Sequence, residues 1–257
     1  MSTLVVAAAV VYGLLIGSFL NAWAYRLPRG LSVARGRSVC PHCGAQIRAY
    51  DNIPVVSWLV LRGRCRDCGA PISLRYPVGE GLTAALFGLV AAVDGLSWML
   101  VPHLLFVATL VLVSEVDLEA RIIPDVIILP TAAIGLALML VLRPQHWLQW
   151  LVSGLGAAAF LLVVAWVYER VRGLTGLGMG DVKMALCMGF FLGAAVVPAL
   201  FIAFIVGALG GLLLIARRGG SGKTAIPFGP FLAVGGVVGL FLGQPAIHWY
   251  LRFVLKS

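Results

Sequence analysis

The sequence predicts an all-α fold, a polytopic bundle of about eight membrane-spanning helices with a small loop domain between the first two. Composition is the first observation. Of 257 residues 61% are hydrophobic and 11% charged, where soluble domains run near 45–50% and about 25%. The apolar runs are the second, since they extend over about 20 residues without the polar–apolar alternation of barrel strands. The charge pattern is the third. Nine of the nineteen basic residues lie between Arg26 and Arg75, against Asp51 and Asp67 alone. Concentrated in one loop, this charge marks a cytoplasmic segment by the positive-inside rule, so the formal charge of +9 does not call for a nucleic-acid partner.

The first span covers about 3–24. It has no basic residue before it and Arg26 behind it, the reverse of a cleaved signal peptide, so its N-terminus is expected outside. The loop 26–75 follows. Further spans are expected at about 76–93, 97–116, 125–142 and 147–168, then a Gly-rich loop at 170–180. Residues 182–216 are expected to form two spans divided near Pro198, followed by a basic loop from Arg217 to Lys223 and a last span from Phe228. On this count the inward junctions hold the 26–75 loop, Arg121, Arg170, Arg172, Lys183, Arg217, Arg218 and Lys223. The outward junctions hold only Asp94 and Arg143, while Arg252 and Lys256 fall on the outer side against the rule. Glycines four apart (Gly13/Gly17, Gly207/Gly211, Gly235/Gly239, Gly239/Gly243) mark close helix packing. The organisation expected is a first span at 1–25, a loop domain at 26–75 and a transmembrane core at 76–257.

The loop holds Cys40-Pro-His-Cys43-Gly44 and Cys65-Arg-Asp-Cys68-Gly69. Each pair makes a tight turn presenting two thiolates to one side, and two such turns complete a tetrahedron around zinc. The glycine after each second cysteine suits a left-handed backbone. A cytoplasmic loop disfavours disulfides. Cys40, Cys43, Cys65 and Cys68 are therefore the expected ligands of a structural zinc. Four thiolates close the shell without His42, and Cys187 reads as a small buried hydrophobe.

Two aspartates sit at span ends. Asp117 lies in Ser114-Glu-Val-Asp117-Leu-Glu-Ala-Arg121, and Asp181 in Gly178-Met-Gly180-Asp181-Val-Lys183. Both fall at the same expected depth, 64 residues apart in sequence. Two carboxylates sharing one proton can hydrolyse a peptide, one taking a proton from water and the other polarising the carbonyl. The alternative for Asp181, and for Asp125 after Pro124, is helix capping. Glu115 and Glu119 read as interfacial charges, and Glu80 near a span start suggests a role that the sequence does not specify. Gly222-Lys223-Thr224 lacks the first glycine of a phosphate loop.

Taken together these segments resemble the type IV prepilin peptidases. Gly17-Ser-Phe-Leu-Asn21, Tyr25-Arg26-Leu-Pro28, the first cysteine pair, Tyr50-Asp-Asn-Ile-Pro54, the two aspartate segments and Pro227-Phe-Gly-Pro230-Phe231 all carry the likeness, which covers nearly the whole chain. The resemblance implies an aspartyl peptidase core with Asp117 and Asp181 catalytic. It implies removal of a basic leader from prepilins and pseudopilins at the cytoplasmic face of the bacterial inner membrane. It also implies N-methylation of the new terminus by S-adenosylmethionine, although no Gly-rich methyltransferase fingerprint is present. A proton-coupled transporter would instead place its carboxylates near mid-span. A catalytically inert zinc-loop scaffold would tolerate loss of either aspartate. A third reading keeps methyl transfer alone.

Overall fold

In the computed structural model, residues 2–33, 37–173, 176–218 and 227–255 are described. They form α1 (Ser2–Arg26), α2 (Val56–Val60), α3 (Arg75–Asp94), α4 (Leu100–Ala120), α5 (Asp125–Leu142), α6 (Trp147–Arg172), α7 (Met179–Leu192), α8 (Val196–Arg218) and α9 (Gly229–Leu255). No strand occurs among the described residues, only two isolated antiparallel bridges in the cysteine loop. The all-α expectation holds.

Among the described residues, seven helical segments are long and apolar enough to cross a membrane. The count differs from eight over Met179–Leu213, which forms one apolar segment of 35 residues. A crossing needs about 20 residues, and this segment is broken. The break lies at Gly193, with φ +56, and not at Pro198, which falls in the first turn of α8. A proline in a first turn lacks only an N–H that would be unpaired there anyway, whereas the left-handed backbone at Gly193 ends α7. The other spans start and stop within a few residues of expectation, and α5 coincides with 125–142. The loop containing Lys223 lies outside the described residues.

The chain divides into two compact units, one ending at Glu119 and the other beginning at Ala120. In the first, α1 packs along α3 through its glycines. A Cβ at Gly13 would fall 2.7 Å from the Ala84 Cα, and one at Gly17 would fall 2.8 Å from the Glu80 Cα. In the second, α7 packs against α5, α6 and α9. Met184, Ala185 and Met188 on α7 have no exposed surface, as expected of a helix that is apolar all round and central. Gly189 lies on Gly154 of α6 so closely that a Cβ there would stand 2.5 Å from the Gly154 Cα. Phe204 of α8 meets Phe228 at 5.5 Å, and Phe228 meets Phe231 at 6.3 Å. The Pro-Phe-Gly-Pro-Phe segment thus starts α9 and seats two rings on the Gly207 and Gly210 face of α8.

Candidate active site and metal centre

The cysteine loop is built from two copies of one turn. Residues 39–47 and 64–72 share the pattern x-Cys-x-x-Cys-Gly-Ala-x-Ile, and their hydrogen bonds repeat. Cys40 N–H bonds the Ala45 carbonyl at 2.9 Å, and Cys65 N–H bonds that of Ala70 at 2.8 Å. Gly44 and Gly69 N–H close back onto the Cys40 and Cys65 carbonyls, both at 2.9 Å. Gly44 and Gly69 both have φ +71, the left-handed conformation that a Cβ would strain. Bridges Val39–Gln46 and Arg64–Pro71 clamp the two ends.

The four sulfurs lie within 4.8 Å of one another, and the Cys40 and Cys68 sulfurs are 3.8 Å apart. Zinc–sulfur bonds of about 2.3 Å at tetrahedral angles put sulfurs about 3.8 Å apart, so the donor set fits zinc. All five cysteines are free thiols. Backbone N–H groups of Cys43 and His42 bring the Cys40 thiol down to about 6. The Ala70 N–H acts on Cys68 in the same sense, but burial and its three sulfur neighbours carry that thiol up to about 12. Four sulfurs therefore ionise together only beside a cation. Outside the cluster, Arg66 grips both Asp51 oxygens at 2.6–3.1 Å and holds that carboxyl below its ordinary range. Cys187, on α7, is buried and remote in sequence from this loop.

Asp117 lies in the last turn of α4, three residues before its end, and is buried. Asp181 lies in the first turn of α7 and is also buried. Its Oδ2 accepts the Gly178 N–H at 2.9 Å, and its own N–H bonds the Gly178 carbonyl at 3.1 Å. The side chain therefore does support the helix start, and that role does not compete with its burial at the end of an apolar helix. Gly180 lies on Ile123, where a Cβ would come within 2.7 Å of Ile123 Cβ. Asp117 belongs to the first unit and Asp181 to the second.

Asp125 does not cap α5. Pro124 holds the cap position, and the Asp125 oxygens accept from Lys183 Nζ at 2.6 and 2.7 Å. Nothing in the local sequence signals this pairing across 58 residues. Glu119 is more than an interfacial charge, being paired with both Arg29 and Arg75. Glu80 is buried and accepts the Val55 N–H at 2.6 Å. Glu115 is the residue that sequence reasoning undervalued. Both its oxygens are buried with no hydrogen-bond partner among the described residues.

Residues 11–93 match the Bacterial Peptidase A24 N-terminal domain, and residues 104–214 match the Type IV leader peptidase family. Curated proteins named prepilin leader peptidase/N-methyltransferase are similar along nearly the whole chain. One from Burkholderia pseudomallei (strain 1026b) is 34% identical over 93% of this chain and 86% of its own length. One from Stutzerimonas stutzeri is 35% identical over 96% and 94%, and one from Neisseria gonorrhoeae 33% over 100% and 98%. No solved structure matches.

Proposed function

The chain belongs to the type IV leader peptidase family, and from that premise we propose that Asp117 and Asp181 are the catalytic pair of a membrane aspartyl endopeptidase. The protein is a multi-pass inner-membrane prepilin leader peptidase with N-methyltransferase activity. One observation carries the assignment of the pair. Of the ten acidic residues, three are buried: Glu80, Asp117 and Asp181. Asp117 and Asp181 each sit in the terminal turn of an apolar helix, whereas Glu80 lies in the second turn of α3 and holds the Val55 N–H of the loop.

With one proton between them, the ionised carboxylate takes a proton from water as the water attacks the scissile carbonyl. The protonated one hydrogen-bonds the carbonyl oxygen and stabilises the developing oxyanion. Collapse of the tetrahedral intermediate returns a proton to the leaving amine. The substrates are prepilins and pseudopilins whose apolar helix lies in the bilayer beside the bundle. The leader is cut at the cytoplasmic face, with the N-terminus of the enzyme outside, a reading that the basic 26–75 loop supports. Cys40, Cys43, Cys65 and Cys68 hold a structural zinc. S-adenosylmethionine supplies the methyl group for the new N-terminus.

The test is cleavage of purified prepilin in liposomes by wild type, Asp117→Asn and Asp181→Asn. Both variants, intact by thermal unfolding, lose at least ~100-fold in rate. A folded variant cutting at the wild-type rate removes that aspartate from the pair.

A further inference from the structure

A cavity of about 180 Å³ opens among α1, the segment leading into α3, and the end of α4. Its walls include Asn21, Tyr25, Arg75, Tyr76, Glu115 and Glu119. The charges around it are unevenly matched. Glu119 is neutralised twice, by Arg29 at 2.6 Å and by Arg75. Arg75 also reaches the Glu115 backbone carbonyl at 3.3 Å, not its carboxylate. Both Glu115 oxygens stay buried without a hydrogen-bond partner among the described residues.

A buried carboxylate without a donor costs several kcal/mol, and a native structure holds one where something else supplies the donor. Gly79 lets the Glu115 carboxylate approach Asn21. A Cβ on Gly79 would collide with Glu115 Oε1 and lie 2.9 Å from Asn21 Oδ1. The Glu115 carboxylate and the Asn21 amide are therefore packed side by side in the place a Cβ on Gly79 would take. The Asn21 amide is oriented by its Nδ2, which donates to the Tyr76 carbonyl at 3.0 Å. A carboxylate and an amide oxygen converging beside tyrosine rings form a receptor for a small organic cation with N–H donors.

We propose that this cavity binds the α-ammonium group of the newly cleaved pilin and presents it for methylation, with Glu115 as counter-ion and proton acceptor. The proposal rests on the leader peptidase/N-methyltransferase reading and extends it to a site. Hydrolysis creates an α-ammonium group, and methyl transfer needs it as a free amine. The Glu115 carboxylate takes one proton from the ammonium. The freed lone pair attacks the methyl carbon of a sulfonium donor, the N–C bond forming as the C–S bond breaks and a neutral thioether leaves. The product is a secondary ammonium, and Glu115 returns its proton to water. Two residues of α-helix turn through about 200°, so Glu115 and Asp117 leave α4 on opposite sides. Cutting and methylation then take place on two faces of one helix, and the new terminus passes from one to the other.

The experiment uses the full chain in liposomes with a sulfonium donor carrying a labelled methyl group. Prepilin reports cleavage and methylation together, and a pre-cleaved pilin reports methylation alone. Glu115→Gln keeps the shape and removes the charge, and Gly79→Ala displaces the Glu115 carboxylate from its place beside Asn21. Each is expected to lower the ratio of methylated to cleaved product at least tenfold and to raise KM for the pre-cleaved pilin. An unchanged ratio in both variants overturns the proposal. So does loss of cleavage by folded Glu115→Gln, which would put Glu115 in the hydrolytic centre. Equilibrium dialysis of the labelled donor separates the two cations present. Lower donor affinity in Glu115→Gln with an unchanged pilin KM assigns the cavity to the sulfonium and overturns the amine assignment. Should the variants fail to fold, wild type alone decides, because it must bind pre-cleaved pilin at least tenfold tighter than the N-acetylated form, and equal affinity overturns the proposal. A wild type that cuts prepilin but never methylates it sinks the methyltransferase reading itself, and that result is distinct from all the others.

Discussion

Glu80 Oε2, in the second turn of α3, accepts the backbone N–H of Val55 at 2.6 Å. Val55 precedes α2 with φ +60, a positive value that a β-branched residue adopts only under strain. Such strain costs about 1–3 kcal/mol and persists only where the surroundings enforce it. The Glu80 carboxylate is the group that enforces it, so a residue between the two cysteine turns is pinned to the wall of a transmembrane helix.

Removing that acceptor frees the loop. Glu80→Ala is expected to leave the Val55 N–H unpaired and cost about 1–3 kcal/mol locally, which limited proteolysis of the 48–62 segment will detect as faster nicking. Glu80→Gln keeps an acceptor oxygen and is expected to behave close to wild type. Equal protection of the wild-type and Glu80→Ala chains would show that Glu80 does not hold the loop.

Zinc removal is expected to open the cysteine loop while the transmembrane helices persist. Val39, Tyr50, Ile53, Val56, Leu59 and Val60 of the loop are exposed, and metal binding supplies folding energy that such a loop lacks. A chelator, or Cys65→Ser, will abolish zinc content and expose residues 37–73 to protease, with far-ultraviolet circular dichroism nearly unchanged. Global loss of helicity would contradict a structural role confined to the loop.

Acid acts in the same direction through two groups. Asp51 is held below its ordinary pKa by Arg66, so its stabilising contribution is present above the unfolded value and is lost as pH falls through the folded one. Zinc thiolates are also lost as protons compete for sulfur. The loop is expected to release zinc as pH falls below about 5 and to hold it at neutral and mildly alkaline pH. A dye-based zinc release titration checks this, and Arg66→Met is expected to move the midpoint upward.

Much of this was legible in the sequence. Hydropathy gave the spans, because in a bilayer every crossing segment must satisfy its own backbone hydrogen bonds. The paired cysteines pointed to the four-sulfur cluster, because a tetrahedron of thiolates imposes its spacing on the chain. The glycine after each pair gave the turn. What stayed hidden depends on meetings between distant residues. Lys183 and Asp125, Glu80 and Val55, and Glu115 with Gly79 are juxtaposed only by packing. The break at Gly193 was missed because Pro198 is the louder helix signal, although a proline in a first turn breaks nothing.

The Gly154–Gly189 contact holds α6 and α7 at backbone distance. Gly189→Ala would bring a Cβ to 2.5 Å from the Ser153 carbonyl oxygen and the Gly154 Cα, and backbone cannot yield as a flexible side chain can. The variant is expected to lose about 1–3 kcal/mol and to unfold at lower temperature in detergent. Gly156→Ala, on α6 two residues beyond Gly154, meets nothing within 4 Å and should be neutral, which makes it the control.

The Lys183–Asp125 pair tests whether α7 must be held in place for catalysis. Lys183 is two residues beyond Asp181 and Asp125 is the first residue of α5, so their ion pair fixes the start of α7 against the start of α5. Asp125 is 56% exposed in its side chain, and an exposed pair contributes little to stability, ~0–1 kcal/mol. Its effect on activity can be larger, because a displacement of about 1 Å at a reacting group can cost roughly 100-fold. Lys183→Met and Asp125→Asn are each expected to lower kcat about tenfold with small changes in KM and in thermal stability. The double variant should be no worse than either single one, since both remove the same contact. Additive losses in the double variant would mean that the two residues act separately. An unchanged kcat would mean that packing of Gly180 on Ile123 alone is enough to place Asp181.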